Sequence, residues 1–129
     1  MNKILVEVSV GELLDKISIL EIKKEKIKES EKLKFINDEY IILKDQLDKH
    51  VKSGEKLTNL FKSLKVINSK LWVIEDDKRK CEKNKDFGEK FIKLSRDIHF
   101  LNDDRAKIKL EINNHTGSKI KEIKEYTSY

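Results

Sequence analysis

The stretch Ser9-Val10-Gly11-Glu12-Leu13-Leu14-Asp15-Lys16-Ile17-Ser18-Ile19-Leu20 decides the fold. It opens with a capping box: the Ser9 side chain can accept from the backbone N–H of Glu12 while the Glu12 carboxylate reaches back. A helix is therefore expected to begin at Val10. Val10, Leu13, Leu14, Ile17, Leu20 and Ile27 then recur at spacings of three, four and seven, which lays one apolar stripe along that helix.

The same spacing returns three times further along. After Ser30, Leu33, Ile36, Tyr40, Leu43 and Leu47 alternate steps of three and four like a heptad seam, and Ser53-Gly54 breaks the pattern. Leu57, Leu60, Leu64, Ile67, Leu71 and Ile74 carry a third helix toward Cys81, and Lys83-Asn84-Lys85-Asp86-Phe87-Gly88 reads as a turn. Phe91, Leu94, Ile98, Leu101, Ile108 and Ile112 carry a fourth, with Gly117 placed to end it in the left-handed conformation. The chain has no proline to interrupt these segments. The expected fold is all-α: about four long amphipathic helices in a bundle, near residues 10–29, 31–51, 55–83 and 89–115, forming a single helical domain over residues 1–129. Residues 3–8 are β-branched and extended in character, and Lys119 to Ile123 could extend too, so a short two-stranded clasp between the chain ends is a second expectation.

Composition narrows the function classes. The 129 residues are 37% hydrophobic and 41% charged, the balance of helices with one buried face and wide wet ones. The 29 cations are interleaved with 24 anions, so no single-sign stripe is available to a phosphate backbone, and only Arg79, Arg96 and Arg105 are arginines. Nucleic acid is thus an unfavoured partner. No apolar run approaches the roughly 20 residues of a membrane span, and the start, MNKILVEV, lacks the apolar core of a secretory signal. Cys81 is the only cysteine. A cytoplasmic protein without a disulfide is expected. His50, His99 and His115 are scattered and read as surface or boundary residues, no zinc spacing or Gly-rich phosphate loop is present, and no metal or cofactor is implied.

Projected at about 100° per residue, several charges fall inside the apolar stripes. Glu21 and Lys24 continue the line of Leu14, Ile17 and Leu20. Asn68, Trp72, Glu75 and Arg79 flank the third stripe, and Lys78 lies within it. Arg105 sits between Leu101 and Ile108, with Asn102 and Lys109 beside it. A lone buried charge costs several kcal/mol, so these groups should meet one another or line a pocket. Glu75 is the first candidate partner of Arg105 and Glu21 the second. A structural ion pair is the commoner role for such an arginine; the ligand-binding candidates, should a pocket exist, are Glu21, Lys24, Asn68, Trp72, Glu75, Arg79, Asn102, Arg105 and Lys109. Trp72 otherwise reads as a core or interface anchor, and Cys81 as a small buried hydrophobe.

Val8 to Lys23, Leu71-Trp72-Val73-Ile74-Glu75-Asp76 and Asn102-Asp103-Asp104-Arg105-Ala106 resemble segments of a small family of uncharacterised bacterial and phage proteins. The resemblance spans most of the chain and implies a shared helical fold and sugar-transfer or cell-surface gene neighbourhoods, with no established activity to transfer.

Two functional readings follow, and neither names a reaction. One is a non-catalytic helical module that docks or self-associates as a homo-oligomer, since long amphipathic helices in a short chain leave apolar surface to bury. The other is a site between helices for a small carboxylate or phosphate: Lys24, Lys78, Arg79, Arg105 and Lys109 outnumber Glu21 and Glu75, so its pocket should be electropositive. In outline the second resembles the all-helical chorismate mutases, whose full motif is absent here. An acidic Mg²⁺ site like that of the all-α nucleotide pyrophosphohydrolases would have only Glu21, Glu25 and Glu75 as ligands.

Overall fold

A computed structural model describes residues 2–129. Four helices, α1 (Val10–Lys26), α2 (Ser30–His50), α3 (Glu55–Lys83) and α4 (Glu89–Thr116), account for 74% of the chain, and among the described residues no strand occurs. The fold is all-α and bundle-like.

The short α1 is the centre of the molecule, because it packs on each of the other three helices, while the backbone of α2 runs beside that of α1 alone. Its apolar stripe turns Leu14, Ile17 and Leu20 into the core. Leu14 there meets Leu57 and Leu64 of α3 and Ile112 of α4, with Leu47 and Val51 closing the α2 side. A second face of α1, Gly11, Asp15, Ser18 and Ile22, is buried as well. One apolar stripe describes a helix lying on a surface; α1 is buried on two sides, and its second face is small and polar except at Ile22. α3 and α4 form a long pair across the 84–88 turn, where the rings of Phe87 and Phe91 meet edge to face, 5.4 Å apart.

α1 ends at Lys26, and Ile27, reckoned with its apolar stripe, is the extended residue that caps it. Its first turn shows how the sequence signal was used. Ser9 caps it, Oγ accepting from Glu12 N at 3.1 Å. The reciprocal half of the capping box does not form, because the Glu12 carboxylate goes to Lys109 of α4, 2.8 Å away. The neighbouring donors are met from the far end of the chain: Gly11 N donates to Asn113 Oδ1 at 2.7 Å and Val10 N to Ser118 Oγ at 3.3 Å. The N–H groups that a helix start leaves open are thus closed by α4 and its exit.

Gly117 ends α4 with φ of +69°, and Ser118 N returns to Asn113 O at 2.9 Å. The chain then doubles back beside α4, Glu122 pairing with Lys109 and Tyr129 reaching Asp103 and packing on His99 and Phe100. This overturns the expected clasp. The tail spends its contacts on α4 side chains rather than on a ladder with residues 3–8, which belong to no strand.

Candidate functional site

α1 and α4 lie side by side in opposite directions, and a row of polar contacts runs along their seam: Gly11 with Asn113, Glu12 with Lys109, Asp15 with Arg105. Asp15 is the hub. Its side chain is 2% exposed, and Arg105 grips both oxygens, Nε on Oδ1 at 2.9 Å and Nη2 on Oδ2 at 2.5 Å. Asn68 of α3 adds a third donor, its Nδ2 lying 2.9 Å from Asp15 Oδ1 and 2.8 Å from Ser18 Oγ, while Ser18 donates onward to Asp15 O. Burial pushes the Asp15 carboxyl upward. The hydrogen bonds from Arg105 and Asn68 and the charges of Arg105 and Lys109 outweigh it, holding the group below the usual carboxylate value. The hydrogen bond to Asp15 in turn raises Arg105.

The partner of Arg105 is neither of the expected carboxylates, Glu75 and Glu21, but Asp15 of α1. Projection of a single stripe hid Asp15, which stands on the second buried face of α1. The signal that could have found it is Gly11-Asp15-Ser18 at steps of four and three: small residues that let another helix approach, with a carboxylate between them. How close that approach is can be read at Gly11, where a Cβ would lie 2.5 Å from Lys109 O.

Lys109 is buried between two carboxylates, Glu12 and Glu122, each 2.8 Å from Nζ. Burial lowers it, and the bonds to Glu12 and Glu122 more than compensate, so its value is raised. Asn113 is fully buried, and its Nδ2 is without a partner among the described residues.

Next to this seam a cavity of about 320 Å³ opens between α1, α3 and α4. Ile19, Ile22 and Leu71 line it with Trp72, and Asn68, Glu75, Asp76, Arg79 and Arg105 supply its polar groups. Five of the nine candidates therefore stand together: Asn68, Trp72, Glu75, Arg79 and Arg105. Asn102 lies just behind, its Oδ1 3.4 Å from Arg105 Nη1. Lys109 belongs to the seam. Glu21 and Lys24 face the other side of α1, where Lys65 bridges Glu21 and Glu25, at 3.1 and 2.8 Å, and Lys24 Nζ lies 4.1 Å from the Tyr40 ring centroid. Lys78 sits over the Phe91 ring, so the expected electropositive lining is instead two cations with two carboxylates. Arg105 is committed to Asp15 and Asp76 to Lys80, whereas Glu75 and Arg79 make no ion pair among the described residues.

Among the described residues no group of three His, Cys, Asp or Glu is placed to hold a metal ion, and no helix is long and apolar enough to cross a membrane. Cys81 is a buried free thiol. No curated protein and no solved structure matches the chain. The model of a family of unknown function, DUF6165, does match, over residues 4–129, and the chain belongs to that family.

Proposed function

We propose that this chain, taken as one helical unit, is a non-catalytic module that works by self-association. The observation that carries this reading is the apolar surface outside the bundle, above all in the segment before α1: Ile4, Leu5 and Val6 are 88%, 89% and 75% exposed. Phe35, Ile41 and Ile42 of α2 and Val66, Val73 and Phe100 of the α3–α4 pair add to it. Large apolar side chains exposed at successive positions, as at Ile4-Leu5-Val6, mark an interaction site. The charged groups of the α1–α4 seam, the buried Asp15 and Lys109 and the half-buried Arg105, are all matched within the fold, which suits a structural role rather than chemistry. A lone buried thiol suits a reducing, cytoplasmic setting. Sedimentation equilibrium should give a mass that climbs above 15.3 kDa with concentration; the monomer mass throughout would reject self-association.

A second reading rests on the cavity, which Arg79, in no ion pair among the described residues, lines together with Trp72 and the apolar Ile19, Ile22 and Leu71. Such a lining suits a small carboxylate with an apolar body better than phosphate. Benzoate should then raise the melting temperature of the wild type and not of Arg79→Ala, and equal shifts in both would dismiss the site.

A further inference from the structure

The segment Lys3-Ile4-Leu5-Val6-Glu7-Val8 is an arm with a fixed root. Ser9 is buried and caps α1, and Val10 N is held by Ser118 Oγ, so the chain leaves the bundle at a set point. Beyond that point the arm is exposed and belongs to no helix or strand, and its β-branched residues favour an extended chain. Its even positions, Ile4, Val6 and Val8, form an apolar face, and its odd positions, Lys3, Leu5 and Glu7, form the other. An exposed, β-branched edge of this type is a template for pairing with another chain. The tail, which could have covered it, is drawn along α4 by Lys109 and Asp103.

We infer that the arm pairs with the same arm of a second copy as a two-stranded antiparallel ribbon, Leu5 facing Leu5 across a two-fold axis. The inference rests on the self-association proposed above and specifies its contact. The register follows from charge. An axis perpendicular to such a ribbon must pass between two residues of the same number, so the choices are Ile4, Leu5 or Val6 opposite itself. Centring on Ile4 sets Lys3 against Leu5, and centring on Val6 sets Glu7 against Leu5. Centring on Leu5 alone sets Lys3 of each copy against Glu7 of the other and Ile4 against Val6, so both charged pairs and both apolar pairs are matched at once. The Ile4, Val6 and Val8 side chains of the two arms then share one face of the ribbon. That face turns toward the helical bodies, since a two-stranded ribbon left alone in water is marginal.

The test uses the untagged chain in two series. In sedimentation, Lys3→Glu and Glu7→Lys should each weaken dimerisation, by roughly tenfold, because each sets like charges opposite one another at both ends of the ribbon. The double variant should restore the wild-type constant. In the second series Leu5→Cys, made with Cys81→Ala, should give a disulfide-linked dimer under mild oxidation, while Lys3→Cys in the same background should not. Circular dichroism confirms the helical content of each variant. A wild type that dimerises with an unchanged constant in all three charge variants, and no cross-link at Leu5, overturns the arm pairing and leaves self-association standing. A wild type that stays monomeric overturns both.

Discussion

Asp15 and Arg105 show how two residues ninety positions apart come to depend on each other. The carboxylate is not tolerable alone: at 2% exposure and without a cation it is left with a desolvation cost that the one hydrogen bond from Asn68 does not cover. Arg105→Met should therefore lower stability in urea by about 3 to 5 kcal/mol. Combining it with Asp15→Leu should recover much of that loss, whereas combining it with Glu75→Leu should recover none; rescue by Glu75→Leu would contradict the pairing. The same geometry sets an acid limit. Because the folded Asp15 value lies below its unfolded one, near 3.9, its contribution is full above that pH and is lost as the pH falls through the folded value. Asp15→Asn should be less stable at pH 7 and show a flatter decline between about pH 5 and 2, measured by thermal melting across the range. Lys109 has the opposite sign: its raised value gives stability that is full below about 10.4 and lost as the pH climbs through the folded value.

α1 is the element on which the others converge, and its first turn is where sequence-local and tertiary forces meet. Ser9 supplies a local cap, and Ser9→Ala should cost about 1 kcal/mol. Gly11 answers a different demand. Its φ is that of any helical residue, so a substitution is not strained by backbone conformation; the obstacle is α4, whose Lys109 carbonyl would stand 2.5 Å from a new Cβ. Gly11→Ala should gain the usual helix preference of about 1 kcal/mol and still be a net loss, since α1 and α4 must separate and the bond from Gly11 N to Asn113 stretches. A chemical-denaturation midpoint at or above that of the wild type would show that the seam can open without cost. The turn was legible as a helix start from Ser9 and Glu12. The diversion of Glu12 to Lys109 was not, because the competing cation comes from 97 residues away.

At the scale of the whole molecule, the two chain ends are treated differently: residues 3–8 stand clear, and residues 118–129 return along α4. Removing everything after Gly117 should leave the helical far-UV signal nearly intact and lower stability by roughly 1 to 3 kcal/mol, chiefly through Lys109, which would keep only Glu12. An unchanged midpoint in thermal or urea unfolding would show that the returning tail contributes nothing. The helices and their core sides were readable from residue order alone, because 3.6-residue periodicity and the Ser9, Ser53-Gly54 and Gly117 signals are local properties of the chain. So were the need for a partner at Arg105 and the grouping of Asn68, Trp72, Glu75 and Arg79, since residues three, four and seven apart share a helix face. Which carboxylate answers Arg105, and which helix lies at the centre, depended on how the four cylinders pack. A stripe records that a face is buried but not against what, and the second buried face of α1 is built of Gly11, Asp15 and Ser18, residues whose burial is made favourable only by the α3 and α4 groups that tertiary packing brings to them.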